Sequence, residues 1–174
     1  LAEEGIDCLG LDKREEVGGL WAHTDDQSVT SVPDCTYTSS PKLFTEAVDF
    51  PWPEEIGIYP RYDDVHKWLK SYVQHFQLTD RIMLHSEVTS VQKVDGLWEV
   101  SVTRRDPAKK RAEKLLVRSK FLVVSTGVNM ALNDMREDSR LQGFTGEVIH
   151  SNQVRRIAEY QEQLRDKRVV SIGG

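Results

Sequence analysis

The residues whose types and spacing can do chemistry sit near the two ends of the chain. Asp12 follows a short apolar run at 6–11. A carboxylate that ends a strand accepts hydrogen bonds from a ribose in dinucleotide-binding units, roughly 20 residues beyond a glycine-rich turn. Gly18 and Gly19 then lead into Leu20 and Trp21. Paired glycines allow positive φ or close backbone approach to a ligand, and Leu and Trp add flat apolar contact. At the other end, the apolar run 168–172 leads into Gly173 and Gly174, where a dinucleotide phosphate turn would begin. The plainer readings are a surface Asp in a turn and a loop whose Trp21 plugs the core. Between these ends, residues 144–151 read FTGEVIHS, with Phe144, Gly146 and His150 at fixed spacing.

The elements that must position these residues follow from periodicity and turn chemistry. Residues 1–5 read as the last turn of a helix with Gly5 as its left-handed cap, and 6–11 as a strand. A chain that opens on a helix end and closes inside a glycine turn reads as a fragment of a longer fold. Residues 24–40 are polar and aperiodic, a long surface loop. Residues 41–48 can start a short helix with Pro41 in its first turn. Val65, Trp68, Leu69, Tyr72, Val73 and Phe76 fall at i, i+3, i+4, i+7, i+8 and i+11, one apolar stripe of a helix over 63–76. Asp63 and Asp64 suit its positive end. Runs at 82–84, 87–94, 97–105 and 114–124 read as strands, with Asp95-Gly96 a hairpin turn. Phe121 to Val124 is continuously apolar, as a parallel strand buried on both faces would be. Residues 154–163 read as a helix.

Composition narrows the function classes. The chain has 174 residues, 39% of them hydrophobic, with 23 basic against 28 acidic side chains and a formal charge of -5. That describes a globular protein with a core, and an acidic balance argues against a nucleic-acid surface. No apolar run reaches the roughly 20 residues of a membrane span. The basic cluster of Arg104, Arg105, Lys109, Lys110 and Arg111 around Asp106-Pro107 reads as a solvated turn. Cys8 and Cys35 are too far apart for a metal or redox pair and read as buried apolar filler. No metal site is expected; His66 and His75 read as solvated.

Phe144, Gly146 and His150 resemble the identifying pattern of the flavin-containing monooxygenases, with Val154 standing where that pattern ends in Phe or Tyr. The flanking residues resemble the same family: Asp12 through Gly18-Gly19-Leu20-Trp21, the Phe50-Pro51-Trp52-Pro53 segment, and Ser125-Thr126-Gly127. The continuation 128–133 departs from the family's aromatic and proline pattern. The resemblance implies an α/β, two-dinucleotide-binding flavoprotein fold. Residues 1–150 would be a partial FAD domain with an inserted antiparallel sheet at about 82–118, and 151–174 the start of an NADP domain. It implies FAD contacts at Asp12, Lys13, Gly19, Leu20, Trp21, Thr38, Val88, Thr126 and Gly127, and dinucleotide phosphate contacts at Gly173 and Gly174.

Thr38 would stand where the family carries an Asn beside the flavin, making it the candidate catalytic residue; a slip of one residue would put Tyr37 or Ser39 there. His150 reads as structural, marking the fold. The activity implied is that NADPH reduces FAD, oxygen is held as a flavin hydroperoxide, and a nitrogen or sulfur atom of a small molecule is oxygenated. A ketone-oxygenating relative and a non-catalytic FAD-binding relative stay open. A disulfide reductase is disfavoured by the lack of paired cysteines. No nucleic-acid partner is expected, and both cytoplasmic and reticulum-associated locations, with membrane association of a longer protein, stay open.

Overall fold

A computed structural model of the chain describes residues 4–106, 111–127 and 138–172. By Cα proximity the chain divides into one unit of Leu1–Gly19 with Lys67–Gly127 and another of Leu20–His66 with Val128–Gly174.

In the first unit, β1 (Gly10–Leu11) pairs in parallel with β2 (Ile82–Met83). β3 (Ser86–Val94), β4 (Leu97–Asp106) and β5 (Arg111–Ser119) form an antiparallel sheet with β4 in the middle. The turn between β3 and β4 is Asp95-Gly96, with φ of 50° and 82°. Positive φ at both positions gives the turn twist that matches paired strands, which is why Asp-Gly is favoured there. The register shifts between Val88 and Ser90, leaving Thr89 as an extra residue whose Oγ1 donates to Ser101 O at 3.2 Å. Val100 and Val102, two apart on β4, turn the same way and are 3% and 1% exposed. Glu99, facing the other way, accepts from Gln92 on β3 at 3.1 Å and from Arg118 on β5 at 2.8 Å. Those bonds hold its carboxyl below the ordinary glutamate value, Arg118 being the larger cause.

α1 (Tyr62–His75) has Asp63 and Asp64 in its first turn, and Asp64 Oδ2 accepts from Arg61 N–H at 3.2 Å. Trp68, Tyr72 and Phe76 stack along it with ring centroids 6.2 and 4.6 Å apart. The helix ends where Gln77 takes φ 51° and Leu78 N–H reaches back to Val73 O at 2.9 Å. That is the left-handed closing turn, here without glycine.

In the second unit, residues 24–40 form a loop, and only a single 3-10 turn at Lys42–Phe44 stands where a short helix was expected. Pro41 precedes that turn with φ -58° and ψ 148°, an extended entry that stops helix growth backwards. α2 (Ile157–Leu164) follows.

Several expected strands differ. Only Gly10–Leu11 of 6–11 is a strand, and β5 ends at Ser119. Residues 121–124 and 168–172 form no strand; Phe121 is 85% and Val170 82% exposed. A strand persists only where a neighbour takes up its N–H and C=O groups, and among the described residues these two runs have no such neighbour. Cys35 is exposed rather than buried, and Cys8 half-buried; the 24–40 stretch is a loop, and loops run over the surface, which leaves the Cys35 thiol in solvent. Gly5 takes φ 68° in a turn, and residues 1–3, on which the expected helix end rests, lie outside the described residues. The turn at 107–110 and the stretch 128–137 lie outside the described residues.

Candidate functional site

The Asp12 stretch is built by the first unit. The β1 pairing continues past Leu11: Asp12 N–H donates to Met83 O at 3.1 Å, and Ser86 N–H donates to Asp12 O at 2.8 Å. The carboxylate is therefore fixed at the carboxyl end of a parallel strand, where open α/β sheets bind ligands. Oδ1 accepts from Arg14 N–H at 2.9 Å, a local turn that carries the chain off the sheet. Oδ2 makes no hydrogen bond to the described residues. The Arg14 guanidinium donates to Gly19 O, which closes the 14–19 loop on itself. Lys70 on α1 pairs with Glu16 at 3.1 Å. Gly18 and Gly19 take φ of 123° and 54°, which side chains resist. No atom lies within 4 Å of where a Gly19 Cβ would stand. A carboxylate oxygen with no partner among the described residues, at the end of a parallel strand, is chemically an acceptor of the kind a ribose hydroxyl can use.

Lys13 is exposed beside Asp12. Val88, on β3, is 43% exposed, and Thr126 and Gly127 are exposed, with Gly127 at φ 86°. Gly19–Trp21 forms one 3-10 turn, in which Leu20 is 43% exposed and Trp21 half-buried. Gly173 and Gly174 lie outside the described residues.

Thr38 lies in the second unit, on a short ladder that closes the 38–60 loop. Tyr37 and Arg61 form an antiparallel bridge. Thr38 N–H donates to Pro60 O at 2.9 Å, Tyr62 N–H to Thr36 O at 2.9 Å and Lys42 N–H to Ile58 O at 2.7 Å. The Thr38 hydroxyl donates to Ser40 O at 2.9 Å. A hydroxyl has one proton, so in this arrangement Thr38 presents only acceptor lone pairs outward.

The family-pattern stretch packs against itself. A Cβ on Gly146 would stand 2.8 Å from Cε1 of Phe144 and closer still to Cζ, so the ring occupies the space only glycine leaves. His150 caps the 3-10 turn Ser151–Gln153: its Nδ1 accepts from Asn152 N–H at 3.1 Å, and Gln153 Oε1 accepts from His150 N–H at 2.9 Å. An imidazole that accepts at Nδ1 carries its proton at Nε2. Glu147, Gln153, Tyr160 and Gln163 help line an open cleft of about 420 Å³ between this stretch and α2.

Beyond His150 the chain docks on the 24–40 loop through residues that no periodicity marks. Arg155 is 2% exposed; its guanidinium donates to Ser31 O and, at 2.6 Å, to Val29 O. Asp34 N–H donates to Arg155 O at 2.8 Å, and Asp34 Oδ1 accepts from Ile157 N–H at 2.9 Å, capping α2. Arg156 reaches both carboxylate oxygens of Asp25, at 2.7 to 3.1 Å. That pair lowers the Asp25 pKa from its ordinary value. The one signal available beforehand was an adjacent arginine pair directly after the motif.

Among the described residues no group of three metal-ligating side chains gathers, and no helix is long and apolar enough to cross a membrane.

A family model described as "FMO-like: Flavin-binding monooxygenase-like" matches residues 1–174. Flavin-containing monooxygenase 1 of Homo sapiens is 29% identical over 180 residues, covering 98% of this chain and 32% of that protein. The chain thus spans about a third of the length of such relatives. The crystal structure of Tmm from Pelagibacter sp. superposes with a TM-score of 0.67 at 21% identity, covering 92% of this chain and 39% of that one. A cyclohexanone monooxygenase mutant from Rhodococcus bound to NADP+ gives 0.61 at 25% identity, covering 87% and 27%. The fold is that of the two-dinucleotide-binding flavoprotein monooxygenases, α/β with the antiparallel sheet inserted.

Proposed function

The chain belongs to the flavin-binding monooxygenase-like family, and on that premise we propose that it forms part of an FAD- and NADPH-dependent monooxygenase acting on a nitrogen or sulfur nucleophile of a small molecule. The observation that carries this reading is the family match along residues 1–174. The placement of Asp12 supports it, with a carboxylate oxygen open at a parallel strand end. Residues 1–150 would belong to the FAD domain and 151–174 to the start of the NADP domain.

FAD, when bound, supplies the electron transfer and oxygen activation. The chain's own residues bind and orient. Asp12 Oδ2 would accept from the ribose hydroxyls, with Lys13 beside it. The Gly19 backbone would take the ligand closely, and Leu20 and Trp21 would exclude water from its apolar face. Val88, Thr126 and Gly127 would complete the cofactor surface, and Gly173 and Gly174 would open the second phosphate turn. Thr38 would face the flavin with lone pairs where the family presents an amide.

The test is to purify the full-length protein, denature it and identify the released flavin. The native protein is then mixed with NADPH under nitrogen. FAD released in near one-to-one amount, bleached by NADPH and recovered on admitting air, supports the reading. A protein without flavin, or with a flavin inert to NADPH, would overturn it. Likeness to cyclohexanone monooxygenase favours a second reading, oxygenation of a ketone; formation of an ester or lactone from a cyclic ketone would select it.

A further inference from the structure

We propose that Lys42 is a positioning residue: a tethered cation whose ammonium holds the 38–60 loop in place and, through it, the backbone at Thr38. Lys42 Nζ donates to Pro53 O at 3.0 Å, Glu54 O at 3.3 Å and Ile56 O at 2.6 Å. An ammonium has three protons and no acceptor, so this seat uses every donor it has.

The seat is unusual for what it asks of the backbone. Ile56 N–H donates to Pro53 O at 3.2 Å, forming a turn. Within it the carbonyls of Pro53, Glu54 and Ile56 point at one place. Converging carbonyl dipoles repel one another unless a positive charge stands between them. Pro51 and Pro53 have no N–H, so this stretch cannot gather itself into a regular ladder instead. Trp52, just before the turn, is 7% exposed and anchors the segment from the inside. The same Lys42 joins the other wall of the loop, its N–H donating to Ile58 O at 2.7 Å, one rung from the Thr38–Pro60 bond at 2.9 Å. One residue therefore ties both walls, by backbone and by side chain. A guanidinium, planar with a fixed fork of donors, does not match three carbonyls set around a point.

The inference leans on the proposed function only in taking Thr38 as flavin-facing. Its test reads the backbone without cofactor or substrate, so its failure is separable from failure of that reading. In the full chain, amide hydrogen exchange is followed at Thr38 and Ile56, with β4 amides as reference. Losing the charged bonds is expected to speed Thr38 and Ile56 exchange about tenfold to a hundredfold in Lys42→Met, leaving β4 unchanged. In Lys42→Ala, propylammonium is expected to restore slow exchange where 1-propanol does not. Thr38 exchange equal to wild type in Lys42→Met, or rescue by propanol as complete as by propylammonium, would overturn the proposal. Loss of β4 protection to the same extent would contradict a role confined to the loop.

Discussion

The Phe144 ring fills the space that a β-carbon on Gly146 would occupy, its Cε1 2.8 Å from that position. The relation gives the Phe-x-Gly spacing a steric meaning: the glycine lets the ring fold back over the backbone. Gly146→Ala should push the ring out, and because Phe144 is already 60% exposed the loss should be about 1 kcal/mol, the low end for overpacking. In a Phe144→Ala background the same substitution should be nearly neutral. Denaturant melts of the four proteins check this; equal losses in both backgrounds would show the ring does not set the constraint.

Arg155 and Arg156 are neighbours with opposite expected weights. Arg155 is buried on the carbonyls of Val29 and Ser31, so Arg155→Met should lower stability by about 2 to 3 kcal/mol by stranding buried acceptors. Arg156 is exposed in its pair with Asp25, where solvent screens the charges, so Arg156→Met should lower stability far less than Arg155→Met. Equal urea midpoints for the two variants would contradict the assignment.

Glu99 sets a pH dependence. Its carboxyl is held below the ordinary value of 4.5, first by Arg118 and then by Gln92. A carboxylate with a depressed folded pKa favours folding fully above its unfolded value. That contribution is lost as pH falls below 4.5 through the folded value. Wild type should therefore exceed Arg118→Met in stability at neutral pH, and the gap should narrow as pH drops from about 5 to 3. Asp138, brought to about 2 by Arg140, should titrate unchanged in that variant. A gap constant with pH would remove Glu99 as its source.

What was legible in the sequence was what local chemistry decides. The α1 stripe, the Asp95-Gly96 turn and the inserted antiparallel sheet each depend on residues a few positions apart. The exposure of Phe121 and Val170 was not legible, because an apolar run states that it wants a neighbour without saying whether one is present. Nor were Arg155 on Ser31 or Lys42 on Ile56. Those bonds join residues far apart in the chain or depend on where a turn aims its carbonyls, and neither leaves a periodic trace. At the candidate site, the placement of Asp12 at a strand end was readable from its apolar run. The commitment of the Thr38 hydroxyl to Ser40 was not.

In the full-length protein, Asp12→Ala should weaken FAD retention about tenfold to a hundredfold, the loss of one charged hydrogen bond. Circular dichroism should be unchanged, since Asp12 holds its strand through its backbone. Wild-type flavin content after dialysis would exclude the ribose role.

Thr38, with its proton on Ser40 O at 2.9 Å, has no donor to offer a developing negative charge. The full-length protein should accordingly release peroxide as it oxidises NADPH, and Thr38→Asn, which adds amide donors, should lower the peroxide per NADPH several-fold. An unchanged ratio would show that Thr38 does not face the flavin.

Oxygen insertion into a small nucleophile is the activity proposed for the full-length protein. Its most direct measurement is turnover of N,N-dimethylaniline or a simple thioether by the full-length protein with NADPH under labelled oxygen gas. The expected product is an N-oxide or sulfoxide carrying one labelled oxygen atom, formed only when NADPH is present. A protein that holds FAD and oxidises NADPH, yet gives only peroxide or an unlabelled product with these substrates and with ketones, would contradict it.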